Sequence, residues 1–251
     1  MLKEERLNAI MDLLRQEKYL TVESLVTKLH YSHATIRRDM AGLVKAGFAR
    51  RSYGGIALDT HETPIVVREH ENVPEKEALC RIAAECVNDD DTVFIAGSST
   101  TRRLVRYLAA KRHITVVTQD VLLASAFEQS GIACYLTGGR MKDGMLVGHF
   151  ARQTVEKLSF DACFFSASGV SDEGEVSVVS EAFGELMTTA LARSKKRVCL
   201  CLDEKMGKKA FFSLGNLAGI EYLISGKTCP GTLSERFPET RFLSVKEAEN
   251  G

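Results

Sequence analysis

The chain has 251 residues, with 33 Lys and Arg against 33 Asp and Glu and 45% hydrophobic residues. That is long and apolar enough for a small domain and a larger one, each with its own core, and it excludes a disordered chain. The charge is unevenly placed: residues 1–58 carry a net +4 and the remainder −4, and between Lys28 and Arg51 the basic residues Lys28, Arg37, Arg38, Lys45, Arg50 and Arg51 meet only Asp39, so one end expects a polyanion partner.

From Glu4 to Gln16 the residues Leu7, Ile10, Met11, Leu13 and Leu14 recur at helical spacing, which predicts a first helix closed by Tyr19 and Leu20. Thr21 is placed to cap a short second helix carrying Val22, Leu25, Val26 and Leu29, and His30 and Tyr31 make a tight turn. Ser32 then caps a third helix that runs to Gly47, with Lys45 near its C-terminus. Ile36, Met40, Leu43 and Val44 fall on its buried face, while Ala34, Thr35 and Arg38 occupy the opposite arc with Arg37 on its flank. Paired arginines on a surface helix usually do no more than solvate it. A short helix, a tight turn and a capped second helix is, however, the helix-turn-helix arrangement. Small residues, a hydroxyl and two guanidinium groups near the helix N-terminus suit a DNA major groove. After it, Phe48 to Arg51 and Ile56 to Leu58 flank Ser52-Tyr53-Gly54-Gly55, which predicts a β-hairpin wing that brings Arg50 and Arg51 to phosphate. The expected DNA contacts are Ser32, His33, Ala34, Thr35, Arg37, Arg38, Arg50 and Arg51.

Arg6, Ile10 and Leu14, then Thr35-Ile36-Arg37-Arg38-Asp39, then Arg50-Arg51 followed by Gly54-Gly55, together resemble the DeoR-type bacterial sugar-catabolism repressors. The resemblance continues through Arg68, Asn72 and Lys76. It divides the chain into a winged helix-turn-helix domain at 1–58, a polar linker at 59–74 and an α/β effector-sensing domain at 75–251.

Beyond the linker, Leu79, Ile82, Ala83 and Cys86 show helical spacing, and apolar runs then alternate with helical segments. The runs are 92–95, 114–118, 133–136, 162–167, 198–202 and 222–225, and the helices fall near 101–110, 121–129 and 180–193. This alternation predicts a largely parallel sheet wound on both faces, whose ligands sit at the carboxyl ends of strands. Five strand-end loops carry suitable chemistry: 96–101, with Gly97, Ser98, Ser99 and Thr100 as a possible phosphate cradle; 118–120, with Gln119; 137–140, with Gly138 and Gly139; 166–170, with Gly169; and 203–207, with Lys205. Glu181 is the one further acid near a loop that we count with them. Each loop alone reads as structural; their shared position after consecutive strands favours a ligand.

The loop order is also similar to the sensor domain of the DeoR-type family, itself similar to ribose-phosphate isomerase and CoA-transferase folds. The family's first loop runs Asp-x-Gly-Ser/Thr-Thr and its last Asp-x-Ser-Lys-Phe-Gly. Here Ala96, Ser98 and Met206 depart from those patterns, and Ser99, Thr100, Lys205 and Gly207 match. The resemblance implies a repressor of a sugar or polyol operon, with operator DNA and a phosphorylated sugar or polyol as partners, working as a homo-oligomer, dimer or tetramer. The alternative is a sugar-phosphate isomerase or CoA-transferase-like enzyme with a DNA-binding appendage. Its need for a placed acid is poorly met, since Asp120 and Asp203 read as strand-end caps, so no catalytic residue is expected. A repressor that has lost its effector is a third reading.

Seven cysteines, an odd number without a Cys-x-x-Cys pair, read as small buried hydrophobes in a reducing compartment, and the six histidines offer no metal-ligand spacing. No cofactor is expected. The charged N-terminus and the lack of a run near ~20 apolar residues imply a cytoplasmic protein with no membrane partner.

Overall fold

The computed structural model describes residues 3–17, 19–45, 49–52, 54–58, 65–227 and 231–245. The chain divides into two units, Met1–Arg68 and Glu69–Gly251.

The first unit holds α1 (Lys3–Glu17), β1 (Tyr19–Thr21), α2 (Val22–Leu29), α3 (His33–Lys45), β2 (Ala49–Ser52), β3 (Gly55–Leu58) and α4 (Ile65–Arg68). Thr21 caps α2 by accepting a hydrogen bond from the Ser24 amide at 3.0 Å, and His30 closes it in the left-handed conformation. Ser32 caps α3, its hydroxyl accepting from the Thr35 amide at 3.2 Å. Gly47, expected to end α3, lies outside the described residues. The wing forms as an antiparallel pair of β2 and β3, and β1 adds to β3 as a third strand with Leu20 opposite Ile56. Periodicity read Tyr19 and Leu20 only as the end of α1, because a three-residue strand is too short to show a period. The third strand also explains a glycine: a Cβ on Gly55 would lie 2.1 Å from the Leu20 carbonyl oxygen. Ile10, Leu14, Leu20, Leu25, Ile36 and Ile56 meet in the core beneath.

Part of the predicted linker is helical. Ile65–Arg68 forms α4, and α5 (Val73–Ala84) starts with Pro74 in its first turn, a favoured place for proline, although its polar surroundings read as loop. Residues 59–64 lie outside the described residues.

The second unit continues with β4 (Thr92–Ile95), a 3-10 turn (Thr101–Arg103) leading into α6 (Leu104–Leu108), β5 (Thr115–Thr118), α7 (Val121–Gln129), β6 (Ala133–Leu136), β7 (Arg140–Lys142) and β8 (Met145–Val147). Then follow α8 (His149–Glu156), β9 (Phe160–Ser166), β10 (Gly169–Val170), β11 (Glu175–Val178), α9 (Glu181–Ala192), β12 (Ser194–Cys201), β13 (Phe212–Asn216), β14 (Tyr222–Ser225), α10 (Gly231–Arg236) and β15 (Arg241–Ser244). Seven strands form one parallel sheet in the order β15-β14-β12-β9-β4-β5-β6. Alternate residues feed two cores: Phe94, Cys163, Phe165 and Cys199 face α8 and α9, while Val93, Ile95, Phe164 and Val198 face α5, α6 and α7. Burial on both faces is why these strands read as unbroken apolar runs.

The chain runs outward from β4 through β5 to β6, then returns to β9 on the other side of β4. The crevice between β4 and β9 is therefore the topological switch point, where ligands of such sheets bind. A small antiparallel sheet β10-β11-β13 and the hairpin β7-β8 form separate sheets, the hairpin joined to the chain just after β5 by the Leu146 amide donating to the Gln119 carbonyl at 2.7 Å.

Among the described residues no helix is long and apolar enough to cross a membrane, and no cluster of His, Cys, Asp and Glu is set to hold a metal. The six described cysteines are free thiols. Burial pushes Cys163 up to about 12 and Cys86 and Cys134 up to about 11, so they stay protonated as packing groups.

Candidate nucleic-acid interface and strand-end site

On α3, Ile36, Met40 and Leu43 turn into the core, while Ser32, His33, Ala34, Arg37 and Arg38 are exposed and Thr35 is half-buried. Arg37 and Arg38 have no carboxylate partner among the described residues, whereas Asp39 between them and the core is buried against Arg6 of α1. Ser32 and Thr35 hydroxyls lie 2.9 Å apart, so the two share one hydrogen bond at the exposed start of the helix. Arg37 on α3 and Arg51 on β2 line one cleft of about 390 Å³ between the helix and the wing, with Glu23 and Ser52. Arg50 sits on β2 with its backbone opposite Ala57, and its side chain lies outside the described residues. Six of the eight expected contacts thus share the α3 start, and Arg51 joins them across the cleft. A convex helix with unpaired guanidinium groups beside a basic wing can neutralise phosphates and reach base edges in a major groove.

At the other site, the carboxyl ends of β4, β5 and β9 bring together Gly97 to Thr101, Gln119 and Ser166. Gly97 donates its amide to Gln119 Oε1 at 3.3 Å. Gln119 Nε2 and Ser166 Oγ are buried with no partner among the described residues. Each would need an acceptor or donor to offset its desolvation, so a polar group placed here would be favoured.

Ser98 Oγ accepts from the Thr100 and Thr101 amides at 3.2 and 3.0 Å and lies 2.9 Å from Thr101 Oγ1, which donates to the Ala96 carbonyl. The hydroxyl expected to face a phosphate is therefore engaged in capping its own turn. Ala96 is fully buried in the apolar cluster facing α8 and α9, which suits a methyl group where the resemblance leads one to expect Asp. The acid nearest that turn comes from β5 instead. A Cβ on Gly97 would lie 2.3 Å from Asp120 Cβ and 2.4 Å from Asp120 Oδ2, so glycine is required for the carboxylate to lie against the turn. Asp120 caps α7 through the Leu122 and Leu123 amides, as expected, but also takes two bonds from Arg102, Nε at 2.6 Å and Nη2 at 3.0 Å. Arg102 went unnoticed in the sequence. Its signal, two arginines directly after a Thr-Thr turn, resembles an ordinary solvated helix start.

The other expected positions are more dispersed. Lys205 donates to the Ala167 carbonyl at 3.1 Å, which brings the β12 end onto the β9 end. Gly169 opens β10, where a Cβ would meet the Lys208 carbonyl at 2.5 Å. Gly138 and Gly139 follow β6 with positive φ, and Gly139 packs against the Val147 carbonyl, so they serve the chain turn into β7. Glu181 is exposed in the first turn of α9, away from the large sheet's strand ends in sequence and beside the small sheet instead.

The chain matches the model of a DeoR-like helix-turn-helix domain over residues 6–62 and that of the DeoR C terminal sensor domain over residues 71–227. It is 31% identical to the HTH-type transcriptional regulator GolR of Listeria innocua, covering 98% of both chains, and 30% identical to the HTH-type transcriptional repressor GlcR of Bacillus subtilis, covering 90% of both. It is 27% identical to the glycerol-3-phosphate regulon repressor of Escherichia coli over 86% of this chain and 88% of that one. Among solved structures, a D-ribose-5-phosphate isomerase in complex with phospho-erythronic acid overlaps 52% of each chain at a TM-score of 0.41 and 13% identity.

Proposed function

Because the chain belongs to the DeoR family of transcriptional regulators, we propose that it represses a sugar or polyol catabolic operon and that a phosphorylated sugar or polyol, bound in the second unit, modulates its hold on operator DNA. It is a regulator and not an enzyme, as its relatives are. In this reading α3 enters the major groove with Ser32 to Thr35 at the base edges, Arg37 and Arg38 hold base or phosphate, and the wing with Arg50 and Arg51 follows the backbone. Half-sites one helical turn apart call for a symmetric homo-oligomer.

The observation that carries the effector reading is the pair of buried, unpartnered groups, Gln119 Nε2 and Ser166 Oγ, on either side of the Gly97 turn at the switch point. A ligand hydroxyl accepts from Gln119 and meets Ser166, and a phosphate is received at the Ser98 and Ser99 backbone of the turn, since the Thr100 and Thr101 amides are taken by Ser98 Oγ, with Gly169 and Lys205 lining the β9 side. That one relative is named a glycerol-3-phosphate regulon repressor agrees with a small phosphorylated polyol.

The test is a thermal-shift screen of the full chain against glycerol 3-phosphate, glucose 6-phosphate, fructose 1-phosphate and galactose 6-phosphate, each beside its unphosphorylated form. A phosphate-dependent rise, by mass action on the folded state, that is lost in Gln119→Leu supports the site. No rise at millimolar concentrations, in protein that binds DNA, overturns the effector reading.

A further inference from the structure

We propose that Arg102 and Arg103 are positioning residues that transmit occupancy of the strand-end site to Glu69, the residue at which the sensor unit begins; the inference rests on the effector reading above. The Ser98 to Thr101 turn runs without a break into the segment bearing both arginines. The Arg102 amide donates to the Ser98 carbonyl and the Arg103 amide to the Thr100 carbonyl, each at 3.1 Å. Any shift of the turn therefore moves the two arginines with it.

Both arginines hold Glu69. Arg102 Nη1 pairs with its carboxylate, and Arg103 Nη2 donates to its backbone carbonyl at 2.6 Å while Nη1 reaches Glu77 at 2.6 Å. Glu69 is bonded to Arg68, the last residue of α4 and of the DNA-binding unit. A grip on both its side chain and its carbonyl thus fixes the first residue of the second unit against the Ser98 to Thr101 turn. Asn72, three residues on, takes the left-handed conformation at φ 50° with no side-chain capping hydrogen bond, and its carbonyl accepts from the Lys76 amide at 3.0 Å.

The Arg102 guanidinium is shared unequally. Asp120 is fully buried and bound through two oxygens, whereas the Glu69 side chain is 31% exposed and bound through one contact. An anion arriving at the turn competes for this guanidinium, and Glu69 is the partner that yields. A cleft of about 430 Å³ lined by Glu69, His70, Val73, Ser99, Arg102 and Arg103 leaves room for that displacement. Site and junction are then two ends of one ion network that has a tight and a released arrangement, which is what coupling requires.

Coupling is reciprocal, so DNA itself can report it. An operator duplex is selected from a random library, and amide hydrogen exchange of the full chain is followed at 97–104 and 65–76 with and without it, in the wild type, Glu69→Gln and Arg103→Met. DNA is expected to change exchange in both segments of the wild type; in the variants the change at 97–104 is lost while the duplex is still bound. Any screened phosphate that weakens operator binding in the wild type, by the roughly 5- to 150-fold usual for allosteric coupling, should do so about onefold in the variants. Wild-type exchange at 97–104 that ignores DNA, or variants that keep the DNA-dependent change, overturns the relay. If no phosphate in the screen binds, the effector reading fails by itself, and the DNA arm still decides the relay.

Discussion

Arg6 of α1 holds Asp39 of α3 through two nitrogens, Nε to Oδ2 and Nη2 to Oδ1 at 3.2 Å, while its guanidinium carbon lies 4.7 Å from the centre of the Tyr31 ring. Asp39 is 2% exposed, so the one acid in the basic stretch turns inward and clamps the recognition helix to α1. Its neighbours Arg37 and Arg38 are left as outward positive charge. The clamp also raises the affinity of Arg6 for its proton, chiefly through the hydrogen bond to Asp39.

Asp39→Ala is expected to lower the melting temperature by several degrees, because a half-buried guanidinium loses its acceptor. Arg6→Met should do the same, and the double variant should lose less than the two singles together. Thermal denaturation of the four proteins checks this; strictly additive losses would count against the clamp.

Arg37→Ala and Arg38→Ala should each weaken operator binding by about 1–3 kcal/mol, roughly 5- to 150-fold, with the melting temperature almost unchanged. Where the lost contact is to phosphate, the slope of log affinity against log salt falls by about one. Fluorescence anisotropy over a salt series measures both. Unaltered affinity in both variants would remove α3 from the interface.

Gly97→Ala inserts a methyl group where Asp120 Cβ and Oδ2 already stand, at 2.3 and 2.4 Å. Overpacking of this kind costs about 1–3 kcal/mol. The displacement should also break the 3.3 Å bond from the Gly97 amide to Gln119. A lowered melting temperature together with a lost thermal shift for the effector is the expected pair, and Gly97→Ala protein that responds like the wild type would contradict it.

Glu77 accepts from Tyr107 Oη and Arg103 Nη1, each at 2.6 Å. Burial works to raise its pKa, but the hydrogen bonds from Tyr107 and Arg103 outweigh it and hold the carboxyl below its ordinary 4.5. A depressed folded-state pKa contributes stability that is present above the unfolded value and is lost as pH falls through the folded one. The melting-temperature gap between the wild type and Glu77→Gln should therefore be steady near neutrality and shrink below about pH 4.5. A gap that widens with acid would reverse the sign.

Much of the chain was legible because its signals are local. The caps Thr21 and Ser32 each act within one turn, so their residue types alone place α2 and α3, and Asp120, read as a strand-end cap, opens α7. The runs at 133–136 and 222–225 coincide with β6 and β14, and the alternation of apolar runs with helical segments declared a parallel sheet wound on both faces. The two- and three-residue strands β1, β10, β7 and β8 escaped, since so short a segment has no measurable period.

By itself, then, the sequence determined a capped recognition helix with outward arginines, a hairpin wing, a doubly wound α/β unit and the family to which they belong. Only the tertiary structure decided that Asp39 faces Arg6, that the Ser98 hydroxyl is spent on its own turn, that Asp120 lies against Gly97, and that Arg102 joins Asp120 to Glu69. Arg6 and Asp39 are 33 residues apart in the chain, as are Glu69 and Arg102. Which charge meets which is fixed when the sheet and the helix bundle close, because only then does burial make an unpaired carboxylate or guanidinium costly enough to select its partner.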